Sequence, residues 1–270
     1  MKAWLLGLCL LGWLPADGAD WERFVAERFG KGMENYQPPS HQQMQQLEAL
    51  SEGDLMRVHQ HEHGLIFEPL EERGWGLLLQ RDHRSGWILE VPHPVADRHT
   101  ATLAWQLYQW LPFDAMILGG CHRRNRADGC SDLAHTEESA FMAWHRALTR
   151  QPSTVVFQLH GFEASKGRTH PMPPDLAFIV ADGSGSAPQH GPAAQLFEAL
   201  QGRHRGVLAG PAHPWMMATT NAQKRDLEAR ARGPFVHLEL DSSLRQPEHH
   251  QATLNWLRAG LGRAMAPAQE

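Results

Sequence analysis

Residues 87–120, WILEVPHPVADRHTATLAWQLYQWLPFDAMILGG, carry a strand, a helix and a second strand in that order. WILEV is apolar except for Glu90, is too short for a helix and runs into a proline, as a strand buried on both faces does. The amphipathic segment from about residue 98 to 110 predicts a helix, and DAMILGG then supplies a short strand closed by glycines. The same rhythm extends in both directions. WGLLLQ (75–80) precedes it, and a helix near 136–149, TVVFQLH (154–160), DLAFIVAD (175–182), a helix near 192–202, GVLAGP (206–211), a helix near 220–231, FVHLEL (235–240) and a closing helix near 250–263 follow. Such alternation predicts an α/β protein whose mainly parallel sheet is covered by helices on both faces.

Upstream, WERFVAERF and HQQMQQLEALSEGDLMRV show helical spacing on either side of Pro38 and Pro39, so residues 20–72 read as a helical N-terminal extension to a main domain spanning 73–265. Residues 1–19 have one Lys, an apolar run from Ala3 to Leu14 and small residues suited to cleavage, the pattern of a signal peptide too short to anchor in a bilayer. An exported chain, periplasmic or secreted, with no membrane anchor once processed is the expectation. In an oxidising compartment Cys121 and Cys130 are then expected to pair, closing the loop CHRRNRADGC. The 270 residues are 42% hydrophobic with a formal charge of -5 and no Lys/Arg block, which gives no basis for a nucleic-acid or anionic-membrane partner.

In a sheet of this type ligands gather beyond the carboxyl ends of the strands, and what stands there is chemically uniform. WILEVPH ends on His93 with Asp97 four residues on, and TVVFQLH ends on His160. Two imidazoles and a carboxylate, two of them presented by one strand-to-helix turn, match the three-ligand set of a catalytic zinc site that keeps a fourth position open. The alternatives are a helix N-cap for Asp97 and backbone-satisfied imidazoles for His93 and His160. After DAMILGG comes His122, a further strand-end candidate for metal or acid/base chemistry, and then Arg123, Arg124 and Asn125, planar donors suited to a substrate carboxylate. Glu239 interrupts the apolar strand FVHLEL and needs a partner, either a metal-bound water for which it acts as base or a cation such as Arg245. Asp182 ends DLAFIVAD, while Asp132 and His135 in SDLAHTEES lie near the same edge, with helix capping as their plainer explanation.

The ordered set of His93 and Asp97, then Arg123, Arg124 and Asn125, then His160, then Glu239 resembles the zinc carboxypeptidase superfamily in its broad sense, which includes the N-formylglutamate amidohydrolases and the phage poly-gamma-glutamate hydrolases. The resemblance covers roughly residues 74–262. It implies a three-layer α/β/α sandwich with a mainly parallel mixed sheet, one zinc ion held by His93, Asp97 and His160, Glu239 as base, and an arginine clamp on a small carboxylate-bearing amide or peptide. The short motif departs from the usual Glu three residues after the His, and Glu90, three before His93, is the alternative carboxylate. Two other readings compete. VVFQLHGF resembles the oxyanion strand of an α/β-hydrolase serine esterase, with Ser184 and Ser186 as the nearest serines but no Gly-x-Ser-x-Gly elbow. A non-catalytic periplasmic metal-binding protein could use the same histidines.

Overall fold

Successive residues of the strands enter different cores, because side chains alternate across a pleated sheet. Leu89 and Val91 face one apolar cluster with Phe157, Leu159, Val236 and Leu238, whereas Ile88, Ile117, Val156 and Phe235 face the other. In the computed structural model, which describes residues 18–29, 36–164 and 172–266, these strands belong to one nine-stranded sheet between two helical layers. The chain runs α1 (Gly18–Phe29), α2 (His41–Glu48), β1 (Met56–His61), β2 (Gly64–Pro69), β3 (Leu77–Gln80), β4 (Trp87–Val91), α3 (Thr100–Trp110), β5 (Ala115–Leu118) and α4 (Ala140–Leu148). It continues through β6 (Val155–Phe162), β7 (Leu176–Ala181), α5 (Gly191–Leu200), β8 (Arg205–Leu208), α6 (Ala222–Ala229), β9 (Phe235–Asp241), α7 (Ser242–Arg245) and α8 (His250–Ala264). The expected three-layer α/β/α sandwich is the architecture observed.

Strand order is β1-β2-β3-β5-β4-β6-β9-β7-β8. The sheet is parallel through β5, β4, β6 and β9, where the crossover helices lie, and antiparallel along β1, β2, β3 and β5. β7 runs against β9 and carries β8 parallel to itself at the far edge. At the crowded exit of β5, Gly76 (φ +92°) lies so close that a Cβ there would meet the Leu118 carbonyl oxygen at 1.9 Å, so no side chain fits.

α1, α3, α5 and α8 contribute Trp21, Trp105, Leu196 and Trp256 to one core, and α2, α4 and α6 contribute Met44, Trp144 and Leu227 to the other. Trp21 stacks on Trp105 at 4.6 Å between ring centres, and its indole donates to the Ala101 carbonyl at 2.9 Å. Such a pair adds about 0.5–1.5 kcal/mol beyond the area it buries, and it ties α1 to the body of the sheet.

The structure corrects two expectations here. Residues 20–72 are not a helical extension throughout: α2 stops at Glu48, and Met56–His61 and Gly64–Pro69 form a hairpin that extends the same sheet. Cys121 and Cys130 are separate thiols. Cys121 is buried, its thiol is pushed up to about 12 by burial, and it donates to the Ser131 carbonyl at 3.5 Å. The loop is closed by hydrogen bonds instead, with Ser131 Oγ accepting from Arg126 N at 3.0 Å and donating to the Arg123 carbonyl at 3.2 Å. The expected signal peptide falls on residues of which 1–17 lie outside the described ones. Among the described residues no helix is long and apolar enough to cross a membrane.

Candidate metal centre

On the face toward α4 and α6, the parallel strands place polar residues where their neighbours place apolar ones. Register puts Glu90 opposite Gln158, Gln158 opposite His237, and His160 opposite Glu239. The last pair stands one pleat nearer the carboxyl end. His93 follows β4 at the same rim, and the turn from His93 to Asp97 is closed by Asp97 N donating to the His93 carbonyl at 2.8 Å.

This brings His93, Asp97 and His160 together, with one donor atom of each lying within 4.8 Å of the others. Asp97 Oδ2 is 3.6 Å from His93 Nδ1 and 3.3 Å from His160 Nδ1, and it accepts from Gly161 N at 3.2 Å. All three side chains are buried. Asp97 is no helix cap, because the N-cap position of α3 is His99, which makes no side-chain cap bond. His93 Nδ1 is buried with no hydrogen-bond partner, while its Nε2 lies 2.8 Å from Asp132 Oδ1. In the neutral ring, a proton on Nε2 bonds that carboxylate and leaves the Nδ1 lone pair facing Asp97 and His160. An orphaned imidazole nitrogen beside a carboxylate and a second imidazole fits a divalent cation such as zinc.

A second set, His160, His237 and Glu239, has its donor atoms equally close and shares His160 with the first. His237 went unnoticed in the sequence. Its signal was there, since His237 and Glu239 are two apart in a strand and must share a face. The His237 ring centre is 4.7 Å from that of His160.

Electrostatics sort these groups. Burial opposes ionisation of Asp97, but the His160 and His93 side chains hold its carboxyl well below the usual carboxylate range. Burial also opposes charge on His93, yet Asp132 and Asp97 raise its pKa above the ordinary value. In His160 burial wins over Asp97, and His237 is pushed far down by burial and by neighbouring His160, so both favour the neutral ring that a metal requires.

The centre opens into a cleft of about 360 Å³. Arg123, His135, Asn221, His237 and Glu239 line it, and a wall from Pro214 to Thr220 is largely apolar. Within that wall Met216 and Ala218 adopt the left-handed region at φ 51° and 57°. Asp132 gathers the polar side: besides His93 it accepts from Arg123 Nη2 at 2.7 Å and lies 3.1 Å from His135 Nδ1. Asp132 and His135 do not cap a helix, since α4 begins at Ala140 with Ser139 as its cap.

Other candidates lie elsewhere. Arg124 is exposed, and Arg124, Asn125 and His122 are bonded to one another in a turn outside the cleft lining, with Arg124 N donating to His122 Nδ1 and Asn125 N to the His122 carbonyl. Only Arg123 of the expected clamp reaches the cleft. Glu90 is fully buried between His145 Nδ1 (2.6 Å) and Gln158 Nε2 (3.0 Å), so it is not the alternative ligand. Asp182 ends β7, which runs antiparallel to β9; its end therefore lies at the opposite rim, beside Pro234 and Phe235. Arg245 is fixed by the carbonyls of Leu240 (3.1 Å) and Phe162 (3.0 Å). Ser184 and Ser186 hydrogen-bond within their own exposed turn, and no serine lines the cleft among the described residues.

Below the centre, His145 sits between Glu90 and Asp226 (Nε2 to Oδ2, 3.5 Å). Burial alone would lower its pKa, but the two carboxylates raise it above 6.5. A raised folded value means that the stabilisation is fully present below about pH 6.5 and is lost as pH rises through the folded pKa. Asp226 is buried, yet His145, Arg230 and Arg146 depress its pKa below 3.8, so its share is present above that and is lost as pH falls through the depressed value. His145→Gln is therefore expected to flatten the alkaline decline of the unfolding midpoint, and an unchanged decline would assign it to other groups.

No family model matches the sequence, and no curated protein matches it. The fold is similar to solved structures at low identity. They include an N-formylglutamate amidohydrolase from Ralstonia eutropha JMP134 (12% identity, 69% of this chain and 96% of that one, TM-score 0.48). A bacteriophage poly-gamma-glutamate hydrolase is similar at 10% identity (82% and 94%, TM-score 0.46), and a metallo-carboxypeptidase from Burkholderia cenocepacia at 14% (86% and 70%, TM-score 0.39).

Proposed function

We propose that this chain is a zinc-dependent hydrolase that cleaves an amide or peptide bond next to a free carboxylate. The observation that carries the reading is the buried set of His93, Asp97 and His160, donors from two distant segments that converge within 4.8 Å at the base of an open cleft. These three residues would hold one zinc ion. When bound, zinc polarises a carbonyl and lowers the pKa of a coordinated water to roughly 7.

The chain's own residues supply the rest. Glu239, beside His160 in the sheet and lining the cleft, is placed to take a proton from the attacking water and return it to the leaving amine. Arg123, steadied by Asp132, presents its guanidinium at the cleft wall, where a planar fork matches a substrate carboxylate. Asp132 links these tasks, because the carboxylate that steadies Arg123 also orients His93.

The test uses the purified protein with zinc, an N-acyl amino acid series and short peptides. Glu239→Gln is expected to keep stoichiometric zinc while turnover falls by about 10²- to 10⁴-fold, the usual contribution of a positioned base. Undiminished turnover in that variant would remove Glu239 from the reaction, and absence of zinc from the wild-type protein would remove the metal.

A further inference from the structure

Behind the centre lies a buried hydrogen-bonded chain that the reaction above does not use. Gln158, fully buried on β6, makes four side-chain bonds. Its Oε1 lies 2.9 Å from His160 Nε2 and 2.6 Å from Asn221 Nδ2, and its Nε2 lies 3.0 Å from Glu90 Oε2 and 3.2 Å from Gln223 Oε1.

The two ends of an amide are nearly the same shape, so only the partners fix which end is which. Three sets of partners agree. The carboxylate of Glu90, whose other oxygen meets His145 Nδ1 at 2.6 Å, accepts and does not donate, so the Gln158 NH₂ faces it. Gln223 Nε2 donates to the Leu133 carbonyl at 2.9 Å, which turns the Gln223 oxygen toward Gln158 and again demands a donor there. Asn221 Oδ1 accepts from Lys224 N at 3.0 Å, which turns the Asn221 NH₂ toward Gln158 and demands an acceptor. Each constraint alone places the Gln158 oxygen at His160. An amide oxygen only accepts, so the Gln158 oxygen, 2.9 Å from His160 Nε2, calls for a proton there. Asp97 Oδ2 is the competing acceptor at Nδ1, at the longer 3.3 Å, and a neutral ring that puts its single proton in the shorter contact turns the Nδ1 lone pair toward Asp97.

We propose that Gln158, locked by Glu90, Gln223 and Asn221, is a positioning residue that sets the tautomer of His160 and so makes Nδ1 its metal-binding nitrogen. The metal-binding half of this statement rests on the zinc reading, whereas the tautomer half does not. The experiment separates them.

Long-range ¹H–¹⁵N correlation of the metal-free protein at roughly pH 8, above the ordinary histidine range, reads the proton position on His160 directly. The expected result is a single form with Nε2 protonated and Nδ1 bare. Gln158→Met, close in length but without an acceptor, is expected to mix the tautomers and to weaken zinc binding about 10- to 100-fold in chelator competition. The exchanged pair Glu90→Gln with Gln158→Glu puts an acceptor back at His160 and a donor at position 90, while setting the new carboxylate against the Gln223 oxygen, and it is expected to restore the single form without restoring wild-type stability. A wild-type His160 protonated on Nδ1 would overturn the proposal even if no variant folds, as would an unchanged tautomer and affinity in Gln158→Met. A wild-type protein with the Nε2–H form that takes up no zinc would refute the metal reading and the choice of donor nitrogen, and leave the tautomer assignment standing.

Discussion

His160→Ala is expected to abolish zinc uptake and hydrolysis together, the largest functional effect of any single substitution in this chain. His160 is the one residue common to both sets of converging donors, and its Nδ1 lies 3.3 Å from the Asp97 carboxylate. Removing an outer partner of a ligand costs about 10- to 100-fold in affinity, and removing the ligand itself must cost more. The lesion also spreads, because Gln158 Oε1 loses one of its two donors and keeps only Asn221. Zinc content after dialysis, measured beside turnover, checks the prediction. Arg124→Ala, which alters an exposed turn outside the cleft, serves as the control and is expected to leave both unchanged. Stoichiometric zinc in His160→Ala would mean that the ion sits elsewhere.

The largest expected loss of stability comes from Glu90→Ala. Glu90 and His145 are completely buried, and the substitution leaves His145 with Asp226 alone and strips Gln158 of an acceptor. Breaking a buried ion pair from one side costs about 3–5 kcal/mol, roughly a fifth or more of the stability of a typical domain. The cost arises from the stranded partner rather than from the pair's own worth. Replacing both members by leucine is therefore expected to recover much of the loss. Denaturant midpoints of the wild-type chain, Glu90→Leu, His145→Leu and the double leucine variant complete the cycle, and a Glu90→Ala loss below about 1 kcal/mol would show that the pair is dispensable.

The central strands were legible because they are covered on both faces and hence read as short apolar runs; WILEV, AMIL and FVHLEL needed no further context. The hairpin of β1 and β2 was not. MRVHQH is polar at an edge of the sheet, and the run before it keeps helical spacing up to the break after Glu48, so local pattern favoured one element where tertiary pairing made two. His93 and His160 could be found because they sit at strand ends. Asp182 was grouped with them on the assumption that every strand points the same way, and the reversal of β7 defeats that assumption. Arg124 and Asn125 adjoin Arg123 in sequence, but a turn sends them away from the cleft, and sequence distance carries no information about such a turn. The cysteine pairing failed because ten-residue proximity is not geometry.

His160, His237 and Glu239 hang from β6 and β9, strands that are flanked on both sides in the middle of the sheet rather than from its loops. Edges and termini fray under native conditions, whereas interior strands open only when the whole unit does. Amide protons at Leu159 and Leu238 should then exchange with deuterium at the rate of complete unfolding, and those of β1 far sooner. These three groups therefore stay in place until the molecule melts, whereas His93 and Asp97 last only as long as the turn after β4 that carries them.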